Sequence, residues 1–247
     1  MQRLLATSVL GFALAVIAMP AGAQTLFTDG FEVADGHTAG TDILGTNGWN
    51  QGFLSGNVST NHQVGASAPG LSGLVGDGNA VAGDNGSFTQ ITNAAGLAGG
   101  LSSGQEVVLS WQMLVNSGGT TTQGGLNFLG GRAGMNVVTG GTEINVADMP
   151  DTDTRHALPG GGAEEVLDLA IIINETTTTF MMNGNVLQVS ASTAGGFNGL
   201  NSIAWGCGND AGVECGIVDN IVVAIPEPAS LGLLALGGIA LLRRRRA

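Results

Sequence analysis

Glu106-Val107-Val108-Leu109-Ser110-Trp111-Gln112-Met113-Leu114-Val115 is the stretch on which the fold turns. In an extended chain Val107, Leu109, Trp111, Met113 and Val115 share one face, while Ser110 and Gln112 take the other. That period of two, carried by β-branched and aromatic residues, predicts a strand with one side in a core. Downstream, Asp168–Asn174 holds the short apolar strand Leu169-Ala170-Ile171-Ile172-Ile173. Thr177–Met182 and Val186–Ser190 flank Asn183-Gly184, a dipeptide suited to the two left-handed positions of a type I′ hairpin. Ser202–Cys207 and Gly216–Ile225 add two further strands. Residues 24–225 contain 38 of the 43 glycines and no sustained apolar spacing at i, i+3, i+4, i+7. The predicted class is all-β, an antiparallel jelly-roll β-sandwich.

The N-terminal half is less regular. Leu26-Phe27 and Gly30-Phe31-Glu32 open a first strand, and Gly48-Trp49-Asn50 reads as a turn entering another. Residues 65–104 are rich in Gly, Ala, Ser and Asn, with a thin strand signal at Phe88–Thr92, and read as an inserted loop. No internal repeat points to a solenoid or propeller.

The 247 residues suit one domain with flanking segments: 1–23, 24–225 and 226–247. Arg3, the apolar run Leu10–Met19 and Pro20-Ala21-Gly22-Ala23 make a secretory signal with a cleavage point after Ala23. At the other end, Pro226-Glu227-Pro228 precedes Ala229-Ser230, the apolar run Leu231–Leu242, and Arg243, Arg244, Arg245 and Arg246. Ala229–Leu242 is 14 residues, about 21 Å as a helix against a hydrocarbon core of about 30 Å. The arginines place the C-terminus on the cytoplasmic side, so the body hangs outward from an inner-membrane tether.

The Pro-Glu-Pro, apolar helix, arginine cluster order resembles the PEP-CTERM sorting signal of Gram-negative bacteria. The resemblance covers residues 226–247 and implies an exosortase, a membrane cysteine peptidase, as processing partner after the secretion machinery. Pro226, Glu227 and Pro228 are the implied recognition residues and Arg243–Arg246 the stop; Ile225 stands where the family usually has Val. The implied localisation is export and membrane tethering, then the cell surface or the medium. The implied role is a non-enzymatic matrix or surface component associated with exopolysaccharide or biofilm.

Without its two ends the body, residues 24–225, has 18 acidic groups against Arg132 and Arg155, a net charge of −16. Such a body does not coat nucleic acid, and the complete absence of Lys excludes Schiff-base chemistry and a Walker-type loop. The opening Phe27-Thr28-Asp29-Gly30-Phe31-Glu32, Asn47-Gly48-Trp49, Phe180–Asn185 and Val218-Asp219-Asn220-Ile221 together resemble concanavalin A-like, laminin-G-like jelly rolls. Galactose-binding-type carbohydrate modules begin and end similarly and stay open as the family.

Candidate chemistry is sparse. Cys207 and Cys215, the only cysteines, close the loop Gly208–Glu214 and in an exported chain read as a disulfide. Asp219 lies in phase with Ile217, Ile221 and Val223, so alternation sends its carboxylate to the apolar side. With Asp29 and Glu32 on the first strand it forms a candidate structural Ca2+ site, against an Asp that caps a bulge. Asp148, Asp151 and Asp153 lack the glycine and glutamate of an EF-hand loop. Gly100-Leu101-Ser102-Ser103-Gly104, with Asp153 and His156 following, matches a nucleophile pattern but precedes a strand where that motif needs a helix. His37, His62 and His156 show no zinc spacing. Trp111 and Trp205 share the apolar phase of their strands and read as core, which leaves Trp49 as the ring for stacking on a sugar. A calcium-stabilised carbohydrate-binding module is therefore the alternative function, and a degenerate glycan hydrolase the third.

Overall fold

The structure, a computed structural model, describes residues 23–31, 33–37, 43, 45–51, 62–64, 81–84, 89–97, 102–115, 124–129, 133–137, 142–147, 154–161, 165–191, 200–207 and 214–226. Within them run fifteen strands: β1 (Gln24–Asp29), β2 (Asn50–Gln51), β3 (His62–Val64), β4 (Val81–Asp84), β5 (Thr89–Asn93), β6 (Val107–Val115), β7 (Gly124–Leu129), β8 (Ala133–Val137), β9 (Glu143–Ala147), β10 (Thr154–Ala157), β11 (Glu165–Ile173), β12 (Thr177–Met182), β13 (Asn185–Ala191), β14 (Ser202–Cys207) and β15 (Glu214–Ile225). A single 3-10 turn, η1, covers Val33–Asp35. Among the described residues no helix is long and apolar enough to cross a membrane. The tail expected to form a hydrophobic helix, Glu227–Ala247, lies outside them.

Two antiparallel sheets face each other as a sandwich. One runs β13-β12-β11-β6-β15-β4-β3, and the other β10-β9-β8-β7-β14-β5-β2. β15 is the spine of the first sheet. β6 lines one of its edges, while β4 pairs with its start and β1 with its end. The alternation in β6 is realised: Leu109, Trp111 and Met113 are buried in the core beside Leu169, Ile171, Phe180, Ile221 and Val223. Leu126, Phe128, Met135, Ile144, Val146, Ile203 and Trp205 of the second sheet complete that core. Each such side chain contributes roughly 1.5–3 kcal/mol when fully buried, so the two facing rows account for the stacking of the sheets.

The Asn183-Gly184 hairpin forms as expected, with φ of 50° and 74° at the two residues. Both are left-handed positions, which match the twist of the flanking strands. One expectation for the middle of the chain needs correction. Residues 65–104 are not simply an inserted loop, because β4 pairs with β15 in one sheet and β5 with β14 in the other. The strands β7 to β10 also escape a reading by residue type. They are 4–6 residues long, and in β8 Gly134 and Asn136 occupy the positions between Ala133, Met135 and Val137.

Candidate functional site

The end of β1 builds a buried hydrogen-bonded cluster around one carboxylate. Asp29 is fully buried and sits opposite Ile221, so its carboxylate faces the core. The Trp49 Nε1–H donates to Oδ2 at 2.8 Å and the Phe31 backbone N–H donates to Oδ1 at 2.8 Å. His37 Nε2 lies 3.1 Å from Oδ2 and 3.0 Å from Oδ1. One carboxylate thus gathers the strand end, the segment after η1 and the turn before β2. A buried charge needs such partners to offset its lost hydration.

The chain bends sharply to reach this arrangement. Phe31 has φ of 56°, a left-handed conformation that costs a bulky residue energy. Its ring is fully buried and lies 5.4 Å from the His37 ring, and the preceding Gly30 N–H donates to Asp35 Oδ2. A second tie runs through Asn93, which is also buried. Its Nδ2 donates to the Asn47 carbonyl and its Oδ1 accepts from the Ala95 N–H. Asn47 Nδ2 in turn donates to the Thr28 carbonyl. Gly96 lets this turn press on β1, since a Cβ there would stand 2.9 Å from Leu26 Cβ.

Trp49 is therefore not a stacking platform. It is fully buried, with its ring 6.2 Å edge-on from Phe27 and its N–H committed to Asp29. The turn Gly48-Trp49-Asn50 folds it inward. Trp111 and Trp205 are buried, as their phase requires. His37 is the residue that sequence reasoning missed. A lone His beside glycine carries no spacing signal, and only the fold places it on Asp29.

Of the candidate Ca2+ residues Asp29, Glu32 and Asp219, the two that are described, Asp29 and Asp219, lie on opposite faces of the sheet. Asp219 pairs with Gln112, whereas Val222 pairs with Ser110, so β15 carries a bulge at Asn220 and Ile221 opposite Trp111. The bulge shifts the strand's phase: Val218 before it and Ile221 after it both belong to the core. Directly opposed residues share a face, so Asp219 and Gln112 lie on the outer side of the sheet while Asp29 lies on the inner side. Asp219 is nonetheless buried, and its Oδ1 accepts from the Asn220 N–H at 2.7 Å. This is the bulge-capping role. Asn220 takes φ of 51° there, as Asn tolerates. Glu32, Asp148, Asp151 and Asp153 lie outside the described residues. Among those described, no group of three His, Cys, Asp or Glu is arranged to hold a metal ion.

From the bulge a polar row crosses the outer face of the first sheet. Asn220 Nδ2 donates to Gln112 Oε1 at 3.0 Å, and Gln112 Nε2 donates to Asp168 Oδ1 at 3.0 Å. Asn183 Oδ1 then accepts from the Asp168 N–H at 2.9 Å. The row links β15, β6, β11 and the hairpin, and all of its side chains reach solvent at least in part.

Ser102 sits on a turn that leads into β6, so the strand–turn–helix context of a nucleophile is absent there. His156 is half-buried on β10, between Arg155 and Ala157. Cys207 ends β14 in one sheet and Cys215 begins β15 in the other; their side chains lie outside the described set.

The sorting motif continues directly from the fold. Ile225, the last residue of β15, pairs with Gln24, the first of β1, and Pro226 follows at once. An all-β sandwich whose central strand runs into Pro-Glu-Pro, an apolar run and four arginines defines the class: an exported, C-terminally sorted protein. Residues 224–246 match the PEP-CTERM protein-sorting motif. No curated protein matches the chain. Among solved structures, the fold is similar to the conserved carbohydrate esterase vb_24B_21 from Shiga toxin-encoding bacteriophage phi24B, at TM-score 0.53 and 16% identity over 83% of this chain and 100% of that one. It is also similar to the CBM2 module of the evolved Dit of Lactobacillus casei BL23 phage J-1, at TM-score 0.50 and 8% identity over 83% and 97%. Both likenesses concern the fold.

Proposed function

We propose that the protein is a non-enzymatic extracellular component, exported, processed at its C-terminal tail by an exosortase, and retained with exopolysaccharide at the cell surface or in a biofilm matrix. The observation that carries this reading is the sorting motif attached without a linker to the spine of a stable sandwich. A body with a net charge of −16 remains soluble after release. The polar cluster around Asp29 is buried and holds separate pieces of the chain together, which suits a structural component. A bridge between Cys207 and Cys215 fits an oxidising destination and would join the two sheets, contributing about 2–3 kcal/mol by loop closure.

A second reading is carbohydrate recognition, favoured by the row Asn220, Gln112 and Asp168. Amides and a carboxylate fixed by mutual hydrogen bonds on an accessible sheet face suit sugar hydroxyls, and similar folds include a carbohydrate esterase and a carbohydrate-binding module by name. The test is coexpression with an exosortase, followed by the intact mass of the product and its retention on bacterial polysaccharides with calcium and with chelator. The first reading expects loss of the tail and retention in the producing cell's own polysaccharide without dependence on the row. Retention abolished by Gln112→Ala and Asp168→Ala would move the assignment to the second reading. An unprocessed tail would overturn the sorting assignment.

A further inference from the structure

The register of the two terminal strands has a geometric consequence for the tethered precursor. β1 and β15 are antiparallel, and the pair ends at Gln24 opposite Ile225. The signal segment therefore joins the body, and the sorting tail leaves it, at the same corner of the first sheet. The neighbouring strands identify what else lies at that end. Ala224 pairs with Val108, and Val107 pairs with Ile173. Thr177, at the start of β12, pairs with Ala191 at the end of β13. The pole around the corner is thus formed by the turns 102–106 and 174–176. They are joined by a hydrogen bond from the Gly104 N–H to Glu175 Oε1 at 3.1 Å. The Asn174 side chain caps the second turn by accepting from the Thr176 and Thr177 N–H groups.

The covalent distance from this pole to the apolar run is short. Glu227, Pro228, Ala229 and Ser230 separate Pro226 from Leu231, and four residues span at most about 14 Å. The opposite end of the sheet, at the Asn183-Gly184 turn, is the length of β12 away, six residues, or about 20 Å.

We propose that this pole is the membrane-facing surface of the precursor, with the sandwich standing end-on above a phospholipid bilayer. The proposal rests on the exported, sorted reading above, in which the tail tethers the precursor to the membrane before processing. Among the described residues, the surface that meets the headgroups is built of Ser102, Ser103, Glu106, Asn174, Glu175 and Thr176, hydroxyl, amide and carboxylate groups with no cation. Its carboxylates resist transfer into hydrocarbon and are repelled by anionic headgroups, so the approach is hydrated, without insertion, and held by the tail. The tail supplies the attraction and the pole sets the orientation.

The test uses the full chain in vesicles of phosphatidylethanolamine and phosphatidylglycerol, with a photoreactive benzophenone side chain at Thr176 or at Asn185. Flotation of the vesicles first reports whether the chain is tethered. Lipid adducts are expected several-fold more often from position 176 than from 185, and a flexible twelve-residue spacer, of up to about 40 Å, inserted between Ile225 and Pro226 is expected to erase the difference. Tethered protein with equal adducts at both positions would overturn the end-on orientation alone. Protein that does not float would overturn the tethering and the orientation together.

Discussion

The β11–β13 meander and the corner around Asp29 hold together in different ways. In the meander, β11, β12 and β13 are consecutive, antiparallel and joined by tight connections; β11 and β12 send Leu167, Leu169, Ile171, Ile173, Phe180 and Met182 into the core, and β13 packs on it only through the partly buried Leu187. At the corner, residues 29, 31, 37, 49 and 93 come from separate pieces of the chain and are fixed by hydrogen bonds of two buried polar side chains, Asp29 as acceptor and Asn93 as donor and acceptor. The meander spreads its stability over many apolar contacts. The corner concentrates it on Asp29 and Asn93, so its loss is expected to be abrupt.

The sharpest way to break that contrast is Asp29→Ala. It leaves the Trp49 indole N–H, the Phe31 N–H and His37 Nε2 buried without their acceptor, and a cost of about 3–5 kcal/mol is expected. Urea unfolding followed by tryptophan fluorescence measures it, since all three tryptophans are buried. A loss under about 1 kcal/mol would show that the corner is not held through this carboxylate. Leu109→Ala in β6 tests the distributed side. It removes a fully buried side chain and is expected to cost about 2–4 kcal/mol, with the near-ultraviolet signal of Trp49 retained in the native baseline.

Smaller effects sharpen the comparison. Asn183→Ala puts a Cβ-bearing residue without a favourable side chain at φ 50° and removes the acceptor of the Asp168 N–H. The expected cost is about 1–2 kcal/mol, with Asn183→Gly recovering most of the backbone part in the same unfolding assay. At the bottom of the scale, Arg155→Ala breaks an exposed 3.4 Å pair with Glu143. Its effect is expected to fall within about 0.5 kcal/mol, and a larger shift in the urea midpoint would mean that β10 is held by more than its backbone pairing with β9.

The candidate site was legible only where chemistry is written locally. Pro226-Glu227-Pro228 and the arginine cluster are contiguous, so their reading needed no fold. Asp219 was read as a buried carboxylate and is one, though on the outer face; Asp29 entered only as its partner, and its burial was not legible. Their supposed partnership failed because a bulge at Asn220 reverses the phase of β15, and alternation cannot count an extra residue it does not see. Trp49 failed for a related reason: a tryptophan next to glycine looks exposed until the turn is closed over Asp29.

By itself, the sequence determined the all-β class, the strands of strong alternation, the Asn183-Gly184 hairpin and the sorting tail. These follow from side-chain periodicity, from turn residues that accept positive φ, and from a contiguous motif. Only the tertiary structure decided that β4 and β5 separate into different sheets, that His37 and Trp49 share Asp29, and that Asp29 and Asp219 lie on opposite faces. It also decided that the first and last strands end side by side. Each of these depends on pairing between residues far apart in the chain, and hydrogen-bond register across strands leaves no trace in local composition.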